Sequence, residues 1–128
     1  MYVHINYSYC YSYCYSYLQN LSLCETWLVD GTFKTCPKMF SQLYTIHGST
    51  EDGWTFPAVY CLLRSKSAAT YTTMLNAVVD GCIGYILRPE IIFMDFEKSM
   101  MKAAVSVFEG ISLQWCFFTF ANHCGEST

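Results

Sequence analysis

Residues 90–110 read EIIFMDFEKSMMKAAVSVFEG, and two periods meet inside that stretch. Ile91 to Met94 is a short unbroken apolar run, the composition of a strand covered on both faces and hence of a parallel position inside a sheet. Asp95 closes the run. From there the apolar residues recur at helical spacing, with Phe96, Met100, Ala104, Val107 and Phe108 on one face and Gly110 as the stop. A buried strand leading directly into an amphipathic helix belongs to an α/β layer.

Working back along the chain, the helical spacing returns in Tyr71, Met74, Leu75, Val78, Val79 and Cys82. Ser65 and Ser67 both suit an N-cap for that helix, and Gly81 and Gly84 mark its end. Three strand-like runs precede it: CETWLVDGTF (24–33), KMFSQLYTIHG (38–48) and GWTFPAVYCLLRS (53–65). The short polar turns between them predict an antiparallel meander, and Pro57 marks an edge or a bulge in the third. A last strand, ISLQWCFFTF (111–120), follows the second helix. The predicted order is strand, strand, strand, helix, strand, helix, strand, with right-handed crossovers into the parallel strands. That order resembles a C-terminally truncated ribonuclease H-like fold, an α/β architecture whose mixed sheet has three antiparallel strands and then helix, strand, helix, strand.

The bulk numbers agree with one globular unit. The chain has 128 residues, 53% hydrophobic and 13% charged, so most of it is interior and a generic disordered segment is excluded. Net charge is −3 with seven basic residues, which gives this segment no strong nucleic-acid footprint of its own. The longest apolar runs are too short to span a membrane. The chain opens with neither a basic n-region nor a continuous apolar h-region, so the cysteines at 24, 36, 61, 82 and 116 read as reduced core thiols. The N-x-S contexts at Asn6 and Asn20 then carry no weight.

Residues 7–18, YSYCYSYCYSYL, repeat a four-residue unit three times and place Tyr at every odd position from 7 to 17. Period two is strand-like, with one tyrosine face and one Ser/Cys face. A tyrosine stacking surface or a metal site at Cys10 and Cys14 is one reading; a low-complexity leader over residues 1–20, outside the globular part at 21–128, is preferred.

Asp30 is the residue in TWLVDGTF that apolar surroundings do not explain, since an unpaired buried carboxylate costs several kcal/mol or neutralises itself. In the predicted sheet the first and fourth strands are neighbours, which brings Asp30 towards Asp95. Two adjoining carboxylates repel unless a divalent cation neutralises both, and hard oxygen ligands suit Mg²⁺ or Mn²⁺. Plainer roles exist for each. Asp95 stands where an N-cap would, Asp30-Gly31 is a turn signal, and Glu97 in the first helical turn complements the macrodipole, with contact to a metal as its alternative. His47 reads as a turn or surface residue, and Lys34 as a solvated strand-edge lysine.

WLVDGTFKTCPKMFSQLYTIHG, FPAVYCLLRSKSAATYTTML, IIFMDFEKSMMKAA and QWCFF together resemble the catalytic domain of Mutator-like element (MULE) transposases, over about Glu25 to Phe120. The resemblance implies a ribonuclease H-like transposase that cuts and joins DNA with a carboxylate triad and Mg²⁺ or Mn²⁺. It makes Asp30 and Asp95 the first two catalytic, metal-holding carboxylates, transposon-end DNA the partner and the nucleus the compartment. Two features depart from the family pattern. Its Cys-x-x-His motif would need a histidine where Thr119 follows Cys116, and its third carboxylate lies well downstream, so that Glu126 is too close to the last strand to serve. The expectation is a transposase fragment inactive by itself, the alternative a non-enzymatic DNA- or protein-binding module. A third reading is a zinc-stabilised domain using Cys116, His123 and Cys124. Apolar surface from Trp115, Phe117 and Phe118 on the last strand predicts self-association, and no membrane contact is expected.

Overall fold

The computed structural model describes residues 2–5, 8–11, 15–32, 40, 42–81, 84 and 86–115. Strands β1 (Tyr2–Ile5) and β2 (Ser8–Tyr11) precede helix α1 (Tyr15–Ser22). Then come β3 (Thr26–Thr32), β4 (Gln42–Ser49), β5 (Thr55–Leu63), α2 (Ala68–Gly81), β6 (Ile91–Met94), α3 (Lys98–Val107) and β7 (Ser112–Trp115). The strands form one sheet in the order β1-β2-β5-β4-β3-β6-β7. Pairing is antiparallel from β1 across to β3 and parallel from β3 to β6 and from β6 to β7. This is the α/β mixed sheet that the change of period at residues 90–110 predicts.

Alternation along the central strands decides which face is buried. Trp27 and Val29 of β3, Tyr44 and Ile46 of β4, and Ile92 and Met94 of β6 are buried, while Leu28, Asp30, Thr45, His47 and Phe93 on the other phase are half-buried. The buried phase joins Leu21 of α1, Tyr71, Met74, Leu75 and Val78 of α2, and Met100, Ala103 and Ala104 of α3 in one cluster. Each aliphatic side chain removed from water there contributes roughly 1.5–3 kcal/mol. Trp27 is 0% exposed and meets Phe108, the C-cap residue of α3, edge to face at 5.3 Å between ring centroids. That contact ties the end of α3 to the central strand.

Local signals explain the helix ends. Ser67 caps α2: its Oγ accepts the Thr70 N–H at 3.2 Å, and its carbonyl accepts the Tyr71 N–H. Gly48 sits on the buried phase of β4, where a Cβ would come within 2.9 Å of Cys24 Sγ and 3.1 Å of Leu21 Cδ1. The missing side chain is what lets the end of α1 lie on the sheet.

Several details differ from the sequence reading. Within the Tyr/Ser/Cys repeat, Tyr9 to Tyr11 of β2 pair with Tyr60 to Leu62 of β5, and α1 begins at Tyr15. β5 therefore has β2 as a neighbour along Tyr60 to Leu62, and Pro57 sits where the register with β4 shifts between Ile46 and His47, the bulge that the sequence offered. Phe96 was expected on the apolar helix face; it lies before α3 and is 58% exposed. His47 lies inside β4 rather than in a turn, with its Nδ1 buried and lacking a hydrogen-bond partner. Cys24 and Cys61 are buried and form no disulfide, as expected. Lys34, Cys36, Cys82, Cys116, Phe117, Phe118, Thr119, His123, Cys124 and Glu126 lie outside the described residues, as do the side chains of Cys10, Cys14 and Trp115. Among the described residues, no helix is long and apolar enough to cross a membrane.

Candidate active site

β3 and β6 run parallel, with Thr26 beside Ile91, Trp27 beside Ile92 and Leu28 beside Phe93. Two residues further along each strand stand Asp30 and Asp95. Asp30 is the fifth residue of the seven in β3, and Gly31 after it pairs with Tyr44 of β4, so Asp-Gly here continues a strand and makes no turn. Asp95 follows the last residue of β6. It does not cap α3, whose N-cap is Glu97. Both plain roles are thereby removed.

The two carboxylates line one cleft at the carboxyl ends of β3 and β6, together with Gln42, Tyr44, Lys66 and Glu97. Burial pushes the Asp30 carboxyl up, and the Asp95 charge pushes it further, against a lowering hydrogen bond from the Gly31 backbone. Asp95 itself is exposed. The arrangement holds two like charges close enough to oppose each other in partly desolvated surroundings, which is what a cation would relieve. Among the described residues, no group of three or more His, Cys, Asp or Glu is placed to hold a metal ion.

Behind the carboxylates lies a polar chain that the sequence reading missed. Gln42 Nε2 donates to the Tyr71 hydroxyl at 2.8 Å, and that hydroxyl donates to Glu97 Oε2 at 2.6 Å. Gln42 is 2% exposed and is the one buried polar residue among those described. The Tyr71 ring packs against Tyr44 at 5.4 Å. Burial and the bond to Glu97 push the Tyr71 phenol up, and burial, helped by Tyr71, Glu97 and the two aspartates, does the same to Tyr44, so both phenols are neutral at any ordinary pH. Glu97, expected to serve the helix dipole or a metal, makes no capping hydrogen bond through its side chain and takes the Tyr71 proton donor instead. One signal pointed to this chain: Gln42 falls on the buried phase of β4, shared with Tyr44 and Ile46, where an unpaired amide would be costly.

Comparison with known families decides the lineage. The family model of the MULE transposase domain matches residues 26–123, which include both aspartates and the relay. The chain belongs to the MULE transposase family. No curated protein matches it. The MULE domain thus covers every described strand from β3 to β7, and β1, β2 and α1 precede the matched span. Within this MULE domain the cleft lies at the carboxyl ends of parallel strands, the usual place for ligands in open α/β sheets.

Proposed function

We propose that this MULE domain holds a divalent cation, Mg²⁺ or Mn²⁺, on Asp30 and Asp95 in a ribonuclease H-like sheet, and that its ancestral activity is metal-dependent cleavage and strand transfer on transposon-end DNA in the nucleus. The observation that carries the reading is the placement of two carboxylates in one cleft at the carboxyl ends of the adjacent parallel strands β3 and β6, with the Asp95 charge felt at Asp30. The donor set fits: two hard oxygen ligands in an accessible cleft suit a cation that keeps most of its water. Such an ion supplies charge stabilisation to a phosphoryl group and lowers the pKa of a bound nucleophile. The chain's own residues orient it, and Lys66 contributes a basic group to the cleft lining.

Two carboxylates hold one ion weakly. With no three-ligand group among the described residues, transition-state charge would be poorly stabilised and the chain a poor nuclease. A second reading, a non-enzymatic DNA- or protein-binding module, is favoured by the lack of a three-ligand group among the described residues. The experiment is plasmid nicking in Mn²⁺, alongside DNA association in a gel-shift assay. Nicking lost in both Asp30→Asn and Asp95→Asn supports the metal reading. Association unchanged by either substitution, with no nicking in the parent, supports the binding module.

A further inference from the structure

Glu97 occupies the N-cap position of α3, where a side chain would ordinarily take one of the first free helix N–H groups, yet it makes no such bond. Its Oε2 accepts the Tyr71 hydroxyl instead. The direction of that bond is fixed from behind. Gln42 presents an amide NH₂ group, which only donates, to the Tyr71 oxygen, so the single hydroxyl proton points on towards Glu97. A donor-only chain ending on a carboxylate leaves the second oxygen of Glu97 as an acceptor, and Glu97 lines the same cleft as Asp30 and Asp95.

The relay is also built into the strand that carries Asp30. Gly31 lies across the β3–β4 pair from Tyr44, and a Cβ on it would overlap Gln42 Oε1. The Gln42 side chain therefore fills the space beside the residue next to Asp30. Glu97 does not join the two aspartates in a three-ligand group. An acceptor held near a metal site, but not close enough to ligate, acts on the water around the ion.

We propose that Gln42 and Tyr71 are positioning residues that fix the Glu97 carboxylate as an outer acceptor, hydrogen-bonded to the hydration water of a divalent cation held by Asp30 and Asp95. This deepens the metal reading given above and rests on it. The tie between α2 and the start of α3 is one consequence of the relay; orientation of cation-bound water is the other. Glu97 acts without replacing an aspartate as ligand. Tyr71 acts only through Glu97.

The test is titration of the metal alone, Mn²⁺ followed by loss of its free electron-paramagnetic-resonance signal, on the full chain without DNA. Asp30→Asn should abolish saturable binding. Glu97→Gln should weaken it by about tenfold, the low end for loss of an outer-shell partner, and Tyr71→Phe, which keeps the ring, by a similar factor. The double variant should be no weaker than Glu97→Gln alone, because Tyr71 has nothing further to position. Each variant's thermal midpoint accompanies the titration, and Glu97→Gln changes no buried residue, so it remains informative should Tyr71→Phe fold poorly. If Asp30→Asn abolishes binding while Glu97→Gln leaves it unchanged, the relay is a structural tie and the inference is overturned, with the metal reading intact. Equal Tyr71→Phe losses in the parent and Glu97→Gln backgrounds overturn it as well. Absence of saturable Mn²⁺ binding in the parent, or binding indifferent to Asp30→Asn, sinks the metal reading itself.

Discussion

Replacing Gly31 with alanine tests the packing that joins the carboxylate pair to the relay. At an ordinary strand position with no positive φ, Gly→Ala should stabilise by about 0.4–1 kcal/mol, because the unfolded chain loses freedom. Gly31 is not among the positive-φ glycines, so the backbone accepts a side chain. The space does not. The added methyl would overlap Gln42 Oε1 and stand 3.1 Å from Tyr44 Cδ1 and 3.3 Å from Gln42 Cδ. Gln42 is 2% exposed and has no solvent to move into, so its shift breaks the bond to Tyr71. Overpacking costs about 1–3 kcal/mol, and an unsatisfied buried polar group about 1–3 more. The net expectation is destabilisation by roughly 1–6 kcal/mol, opposite in sign to the entropic rule. Urea unfolding of parent and Gly31→Ala measures it, and the same change in a Gln42→Ala background, where the overlap is gone, should cost under about 1 kcal/mol. A Gly31→Ala protein as stable as the parent, or more so, would refute the close packing of Gln42 against β3.

Three further outcomes follow from the titrating and thiol groups. Asp30 has a raised carboxyl in the folded chain, so metal-free stability should fall as pH rises through its titration above the usual carboxylate value, and Asp30→Asn should flatten that fall in urea melts between pH 4 and 7 at low salt. His47 is lowered by burial, against a raising hydrogen bond with the Leu28 backbone, so the folded chain disfavours its charged form. Stability should be full above its ordinary value of about 6.5 and should decline as pH drops below it, and His47→Gln should remove that part of the decline between pH 7.5 and 5.5. Cys24 and Cys61 should resist alkylation in the native chain and react on unfolding, as read by peptide mass mapping; burial raises the Cys24 thiol, which slows it further.

The element order was legible because the elements from β3 to β7 carry a strand or helix period or, in β6, a short unbroken apolar run. IIFM is too short and too uniformly apolar for an exposed strand, and the Ser67 cap and the Met74–Leu75–Val78 stripe leave little room for anything but a helix. The approach of Asp30 to Asp95 was legible too, since it needs only the parallel neighbour relation of β3 and β6. The relay was not. Tyr71 fits an apolar helical stripe perfectly well by spacing, and nothing local says that its hydroxyl meets Glu97, 26 residues away, or Gln42, 29 residues away. Phe96 misled for a related reason: it matches the helical phase of Met100 and Ala104, but α3 begins only at Lys98, and periodicity does not see where a helix starts. The role of residues 8–11 was hidden by composition, because a repeat of Tyr, Ser and Cys gives no hint that β5 has an open side to fill.

The parallel register of β3 with β6 also sets when the cleft comes into being. The antiparallel pairs of β3, β4 and β5 join strands consecutive in sequence, whereas β6 reaches β3 only through the long crossover containing α2, a more non-local pairing. On that ground Asp30 is expected to be in place before Asp95 stands beside it. A cation bridging the pair would find nothing to grip in the early transition state, so its influence would fall on the unfolding limb: the ion would act as a latch that delays opening, with little effect on the rate at which the chain first closes.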